Sequence, residues 1–427
     1  MLGGVRFGFM RHPRARSVCA RLTVVAALLF ALVVSAACHA WRALGDDPSG
    51  DRLERLSRSP QYDPAREQFV NALAPEATSS WDLMLAYWNN DAVTEPAAPL
   101  PVDGGLAARL RMAPEEALRV SWVGHSTLLI EIEGLRFLTD PVFSQRASPF
   151  RWLGPRRFAP PAIAIDELPP IDAVVISHDH YDHLDMDSIV ALDARGVDFI
   201  VPLGVGAHLE AWGVEEGRIH ELDWWDEVAF EGLTVACLPA RHFSGRTGLA
   251  GNGSLWASWA LVGDEARVFF SGDTSLTPEF SEIGARYGPF DIALVEVAAY
   301  SPHWADYHLG PEQAVEAFRM LRGRLLVPIH WGTFDLGLHG WTEPVERLRV
   351  AARARGAHLV VPVPGGSVVP SSPETRAPWW PVVPWVGADI TPIRSSGVLP
   401  LTLPATLRPL ATSAEHKIPE IGFGDGQ

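Results

Sequence analysis

The run from Val174 to His183, Val-Val-Ile-Ser-His-Asp-His-Tyr-Asp-His, sets three imidazoles (His178, His180, His183) and the Asp182 carboxylate within six residues, directly after an apolar stretch. Zn2+ accepts both histidine nitrogen and carboxylate oxygen, so a cluster of this kind at the end of a buried strand has the chemistry of a metal site. In extended chain His178 and His180 point the same way, and a following turn swings Asp182 and His183 to a neighbouring point in space. One segment can therefore serve two metals. The plainer alternative is a solvated, histidine-rich loop.

Donors further along the chain count against that alternative. The apolar run from Val235 ends in His242, that from Val268 in Asp273 after Gly272, and that from Leu325 in His330. Singly, each is an ordinary polar residue at a strand end. Together they supply what a two-metal site still lacks. Two cations held close together lower the pKa of a shared water, furnish hydroxide at neutral pH and neutralise charge on a phosphoryl centre. Asp140, before Pro141, either orients a ligand histidine from behind or simply starts a turn. His125, in the turn Gly124-His-Ser126, reads as a structural histidine rather than a ligand.

Strands and helices must bring these donors together. Arg119–Val123, Thr127–Ile132 and Leu135–Thr139 read as a meander of strands. Asp198–Val201, Arg218–Ile219, Leu233–Leu238, Trp256–Val262, Val268–Ser271 and His358–Val363 read as further strands. Helices are expected around Trp81–Trp88 and over Gly204–Trp212, Pro278–Tyr287 and Thr342–Ala354, the last stopped by Gly356.

The ends of the chain differ from this body. Arg6, Arg11, Arg14, Arg16 and Arg21 precede an uncharged apolar run, Leu22 to Ala37, and small residues lead to Cys38. A basic segment, an apolar segment and small residues are the parts of an export signal, and the arginines favour the cytoplasmic side. We expect residues 1–40 to be a signal peptide or membrane anchor, which makes the protein exported, periplasmic or anchored and facing outside the cytoplasm. Residues 41–117 read as a linker and N-terminal helical extension, 118–366 as the catalytic domain and 367–427 as a Pro-rich, irregular tail. Of 427 residues 47% are hydrophobic, enough for a large core, and the formal charge of −16 argues against nucleic acid as a partner. Three cysteines, two of them near the apolar N-terminal run, exclude a disulfide framework in the body.

The donor order, together with Trp122–Ser126, Leu138–Ser144, Arg146–Pro149, Gly154–Phe158, Glu167–Ala173, Glu221–Trp225, Gly284–Asp291 and Ile329–Phe334, resembles the metallo-β-lactamase fold superfamily. More narrowly it resembles N-acyl-phosphatidylethanolamine-hydrolysing phospholipase D and its bacterial relatives, over about Val120 to Phe334. The resemblance implies an α/β fold, a four-layer αβ/βα sandwich, with one zinc on His178, His180 and His242. It implies a second on Asp182, His183 and His330, with Asp273 bridging. Asp182 and Asp273 would then be catalytic as well as ligating, and His308, before the helix that starts at Pro311, would be the acid or leaving-group contact. Tyr307 departs from the Gln usual in the animal enzymes. The implied substrate is a phospholipid at a membrane surface. A lactone or small phosphodiester hydrolase of the same fold is the rival enzyme, and a non-catalytic metal-binding envelope protein the rival of another class. Trp152, Trp224, Trp225, Trp256, Trp259 and Trp331 are candidates for an acyl groove or for the core. The run Arg151, Arg156, Arg157 is a candidate face for anionic lipid, with a solvated basic loop as the preferred reading.

Overall fold

The computed structural model describes residues 13–112, 114–247, 251–373 and 377–398. Arg6 and Arg11 of the basic segment and residues 399–427 of the tail lie outside the described residues. The chain opens with helix α1 (Pro13–Ala43), followed by α2 (Gly50–Leu56), a short hairpin of β1 (Tyr62–Asp63) and β2 (Gln68–Phe69), α3 (Ser80–Trp88) and α4 (Leu106–Leu110). Within α1, Val24–Ala43 is long and apolar enough to cross a membrane, and almost none of it is buried. That exposure is compatible with a signal or anchor and not with a core helix.

The body is two facing sheets. The first contains β3 (Leu118–Gly124), β4 (Thr127–Ile132), β5 (Leu135–Thr139), β6 (Ala173–Val175), β7 (Asp198–Pro202) and β8 (Ile219–Leu222) in sequence order, with β15 (Ser367–Val368) on the β3 edge. Helices α5 (Met186–Asp193) and α6 (Val205–Trp212) form the crossovers between its parallel strands. The second runs β9 (Glu227–Phe230), β10 (Leu233–Leu238), β11 (Ser258–Val262), β12 (Arg267–Phe270), β13 (Ile292–Glu296) and β14 (Leu325–Ile329). It carries α7 (Glu279–Arg286), α8 (Pro311–Met320) and α9 (Glu343–Arg355).

Side-chain alternation decides what lies between the sheets. Val120, Trp122, Leu128, Ile130, Phe137 and Val175 point inward and share one core with Val235, Cys237, Trp259 and Leu261 of the facing sheet. Their neighbours Val123, Leu129, Leu138 and Val174 point outward and pack on Ile189, Leu192, Val205 and Leu209 of α5 and α6. Strands buried on both faces in this way produce the continuous apolar runs seen in the sequence. The result is the expected four-layer sandwich.

Three expectations need correction. No strand forms over His358–Val363: Leu359 makes one isolated bridge to Leu326, and the last strand among the described residues is Ser367–Val368, inside the expected tail. Its pairing with Ser121 and Val120 explains this, because the edge of β3 needs a partner there. The tail segment that follows is irregular but docked. Trp379 packs against Trp331 at 5.3 Å, and Ser396 N–H donates to Asp306. Arg157 is not solvated: it is buried over the Phe334 ring and donates to the Val142 carbonyl.

Candidate metal centre

Every donor of the site lies at or just beyond the C-terminal end of a strand, all on one edge of the sandwich, where chains leaving parallel strands converge. His178, His180, Asp182 and His183 follow β6, His242 follows β10, Asp273 follows β12 and His330 follows β14. Gly272 makes the turn before Asp273 with φ +53°, and a Cβ there would run into Ser177 and the Ala257 carbonyl.

Two sets of donors face each other across Asp273. In the first, His178 Nε2 and His242 Nε2 lie 2.9 and 3.3 Å from His180 Nδ1. In the second, Asp182 Oδ2 lies 3.3 Å from both His183 Nε2 and His330 Nε2. Asp273 Oδ2 stands 3.1 Å from each of those two imidazoles and 3.9 and 3.8 Å from His178 and His242 of the first set. It therefore belongs to both.

These spacings fit cations. Two nitrogens bound tetrahedrally at zinc distances stand about 3.3 Å apart, and imidazole lone pairs converging this closely repel without a positive charge between them. Buried His183 Nε2 and Asp273 Oδ1 also lack hydrogen-bond partners, which is costly unless something else binds them. The opposite ring nitrogens are anchored. His242 Nδ1–H donates to the Tyr307 carbonyl at 2.8 Å, His183 Nδ1–H to Asp140 Oδ2 at 2.7 Å, and His178 Nδ1 meets Ser177 Oγ at 2.9 Å. Such contacts set the tautomer and aim the free nitrogen inward. Asp140 thus takes the orienting role, and itself accepts from Ser177 N–H and Oγ–H.

Electrostatics divides the sets. Burial, reinforced by neighbouring imidazoles, holds His178 and His242 well below the ordinary imidazole value, and burial lowers His180. These three are neutral donors. Burial pulls His183 and His330 the same way, but the carboxylate of Asp273, joined by Asp182, overrides it and lifts His183 well above the ordinary value and His330 to about 10.

Residues 135–331 match the family model of the Beta-lactamase superfamily domain. N-acyl-phosphatidylethanolamine-hydrolyzing phospholipase D 1 of Caenorhabditis elegans is 38% identical over 255 residues, covering 56% of this chain and 71% of its own. The chain belongs to the metallo-β-lactamase superfamily. An uncharacterised protein of Mycobacterium tuberculosis is 47% identical over 348 residues, 79% of this chain and 91% of that one. The Igni18 metallo hydrolase of Ignicoccus hospitalis is 23% identical over 59% of this chain and 97% of its own, with a TM-score of 0.47. Membership of the superfamily makes this chain a metal-dependent hydrolase.

The structure brings all seven donors named from the sequence together at one edge of the sandwich, and His308 joins them. Its Nδ1 lies 2.9 Å from Glu296 Oε2, and 3.9 Å from Asp273. Glu296 was missed. It is the last residue of β13, fully buried, and also accepts from the backbone N–H groups of Thr274 and Leu309. A single acid closing an apolar strand was its one signal. His125 needs correction: its backbone is framework, donating to Thr333 Oγ1, but its ring lies in the site with Nε2 3.1 Å from Asp182 Oδ2 and Nδ1 unpartnered. Burial pushes this imidazole down to about 3, so it is a neutral neighbour of the second set. Asn71 of the N-terminal extension was also missed, and pins His242 by bonding both its N–H and its carbonyl.

The site borders a groove of about 550 Å3, whose walls include Leu83, Tyr87, Phe243, Trp304, Tyr307 and His308. The tryptophans named from the sequence do not line it. Trp224, Trp256, Trp259 and Trp331 are buried in the core, whereas Trp152 is exposed. The groove is instead made by α3, the loop before α8 and the segment that follows His242.

Proposed function

We propose that this chain is a two-zinc phosphodiesterase that cleaves N-acyl-phosphatidylethanolamine as a phospholipase D does, giving N-acylethanolamine and phosphatidic acid. One observation carries the reading: two buried donor sets share Asp273 beside a His308–Glu296 pair at the wall of an apolar, aromatic groove. In this assignment His178, His180 and His242 hold one ion and Asp182, His183 and His330 the other. A bound pair of zinc ions supplies a water of lowered pKa and neutralises charge on the phosphoryl oxygens.

The remaining work falls to the chain. Glu296 accepts the His308 Nδ1–H, which leaves Nε2 to carry the proton that the departing ethanolamine oxygen needs. Asp140, Ser177 and the Tyr307 carbonyl hold the donor rings at fixed angles, so little reorganisation accompanies the reaction. Phe243, Tyr307, Trp304 and Tyr87 offer apolar surface suited to an acyl chain. Helix α1 supports a location at a membrane, and the arginines that precede its apolar run favour a body outside the cytoplasm.

The experiment is to mix zinc-loaded protein with vesicles containing N-acyl-phosphatidylethanolamine and identify products by mass spectrometry, beside Asp273→Ala. The expected result is N-acylethanolamine with phosphatidic acid, lost in the variant. Intact lipid with a metal-replete protein would discard this substrate and leave the lactones and small phosphodiesters to be tried.

A further inference from the structure

Helix α3 has a surface opposite to its sequence. Trp81, Met84, Leu85 and Trp88 recur at i, i+3, i+4 and i+7, the spacing of a stripe that normally faces a core. Here the stripe faces solvent: the four are 64%, 50%, 38% and 86% exposed, and α3 buries none of its residues. The adjacent face supplies Leu83 and Tyr87 to the groove beside the metal site, and Tyr87 stacks on Trp304 at 6.2 Å. The helix is thus a wall of the groove whose outer side is apolar and unpartnered. Asp82 is its one charged residue, and it sits in the first turn off the stripe.

What covers the stripe is indicated by where α1 meets the body. The Arg42 carbonyl accepts from Trp212 Nε1–H at 2.7 Å, and the Ala43 carbonyl from the buried Arg246 guanidinium, so the end of the membrane-compatible helix is fixed to the body. The chain leaving it, at Leu44 and Asp47, lines a cavity of about 270 Å3 together with Gln68 and Gly251. Gln68 and Gly251 also line the groove walled by α3. The cavity at the exit of α1 and the groove walled by α3 therefore adjoin, with Gln68 and Gly251 between them.

We propose that α3 is an interfacial docking helix, which lays Trp81, Met84, Leu85 and Trp88 into the outer part of the bilayer that α1 spans. A lipid acyl chain then passes from the membrane into the groove along Leu83 and Tyr87 without crossing water. The physical warrant is composition as well as exposure. Tryptophan and tyrosine partition to the membrane–water boundary, where an apolar ring and a polar N–H or O–H are both accommodated. A short helix with such a stripe lies in that plane with its apolar side immersed. The proposal rests on the lipid-substrate reading for its purpose, but its test does not.

The test uses the full chain with Cys19, Cys38 and Cys237 replaced by Ala, a single cysteine introduced by Trp88→Cys or Met84→Cys, and Arg353→Cys on the exposed side of α9 as the reference. Each is labelled with an environment-sensitive fluorophore and reconstituted through α1 into vesicles of phosphatidylethanolamine and phosphatidylglycerol. A nitroxide placed high on the acyl chain reports lipid contact, and iodide reports water. The expected result is that the nitroxide reduces emission from positions 84 and 88 by roughly half, and that iodide reaches them several-fold less than position 353, as for a helix immersed by 5–10 Å. Free access of iodide to both positions, with no effect of the nitroxide, would overturn the proposal. Shielding from both quenchers would also overturn it, and assign the stripe to a second copy or another protein. Lipid quenching without hydrolysis of N-acyl-phosphatidylethanolamine would keep the docking helix and discard the substrate.

Discussion

Replacing Glu296 by Gln separates the proton-donor role of His308 from the metals. The carboxylate accepts three hydrogen bonds, from Thr274 N–H at 2.7 Å, Leu309 N–H at 3.1 Å and His308 Nδ1–H at 2.9 Å. The amide oxygen of Gln can keep both backbone bonds, so the fold is retained. Its NH2 group then faces His308 and cannot accept. Nδ1 must become the acceptor, which places the neutral ring's proton on Nε2 and withdraws the negative charge that stabilises the imidazolium. Losing a charge-assisted hydrogen bond costs about 1.5–3 kcal/mol, or roughly 10- to 150-fold. With the acid disabled outright, the loss reaches the range of about 10²–10⁴ typical of general-acid catalysis.

Two leaving groups expose the difference. An alkoxide, as from an N-acylethanolamine ester, needs a proton; p-nitrophenoxide does not. We expect Glu296→Gln to lower kcat about 100-fold or more on the natural type of diester, and less than about threefold on a p-nitrophenyl phosphodiester, with bound zinc unchanged. Equal losses on both substrates would refute the reasoning and make Glu296 a structural acid beneath the site. No loss on either would remove His308 from the chemistry.

Three further outcomes follow from the same geometry. Asp140→Asn removes the acceptor of His183 Nδ1–H and should weaken metal binding at the Asp182, His183, His330 set by about 10–100-fold in chelator competition, leaving the other set intact. Gly272→Ala puts a methyl against Ser177 and the Ala257 carbonyl at a left-handed backbone position, so Asp273 shifts; metal content by mass spectrometry should fall toward one ion per chain or less. Zinc titrated into metal-free protein at pH 7 should release roughly two to three protons, two from imidazoles and up to one from the zinc-bound water, measurable by calorimetry in buffers of different ionisation enthalpy. The sign follows from the shifts: His183 and His330 are raised above the ordinary imidazole value and hold protons at pH 7, whereas the lowered His178, His180 and His242 have none to give. Release of one proton or fewer, no more than the bound water alone supplies, would contradict that division.

The seven donors were legible because each closes a local pattern, an apolar strand run ending in His or Asp. The four layers came from the resemblance to the metallo-β-lactamase fold, and the structure supplies their physical basis, since alternation along β3 to β6 sends Val120 and Trp122 one way and Val123 the other. Glu296 was not legible, because its importance comes from β13 lying between β12 and β14, a non-local pairing that places a lone acid between His308 and the metal edge. His125 was misjudged for a related reason. Its turn is local, but its ring meets His330, 4.2 Å away, only because the end of β3 faces the end of β14 across the sandwich. The groove defeated sequence reasoning most completely. Tryptophan alone does not distinguish Trp259, held in the core, from Trp88, which is exposed. Nothing in the extension signals that Leu83 and Tyr87 will stand beside residues more than 150 positions later.

The backbone of the site shows what the surrounding framework must supply. His125, Asp140 and His330 adopt φ of 55°, 34° and 64°, a left-handed region that residues with a Cβ occupy at a cost of order 1–3 kcal/mol each. All three follow strand ends, where a left-handed residue turns the chain sharply enough to point its side chain back across the edge. The compensating bonds are specific. His330 N–H donates to the His125 carbonyl, which also accepts from Trp122 Nε1–H, and His125 N–H donates to Thr333 Oγ1. Trp122 in turn stacks on Trp331 at 5.6 Å, and Trp331 packs on Trp379 and Trp380 of the tail. The donors are thus held by a chain of contacts running from the metal edge through the inter-sheet core to residues after the last strand. Through these intermediates the C-terminal segment, irregular in sequence, helps to hold His330 in place.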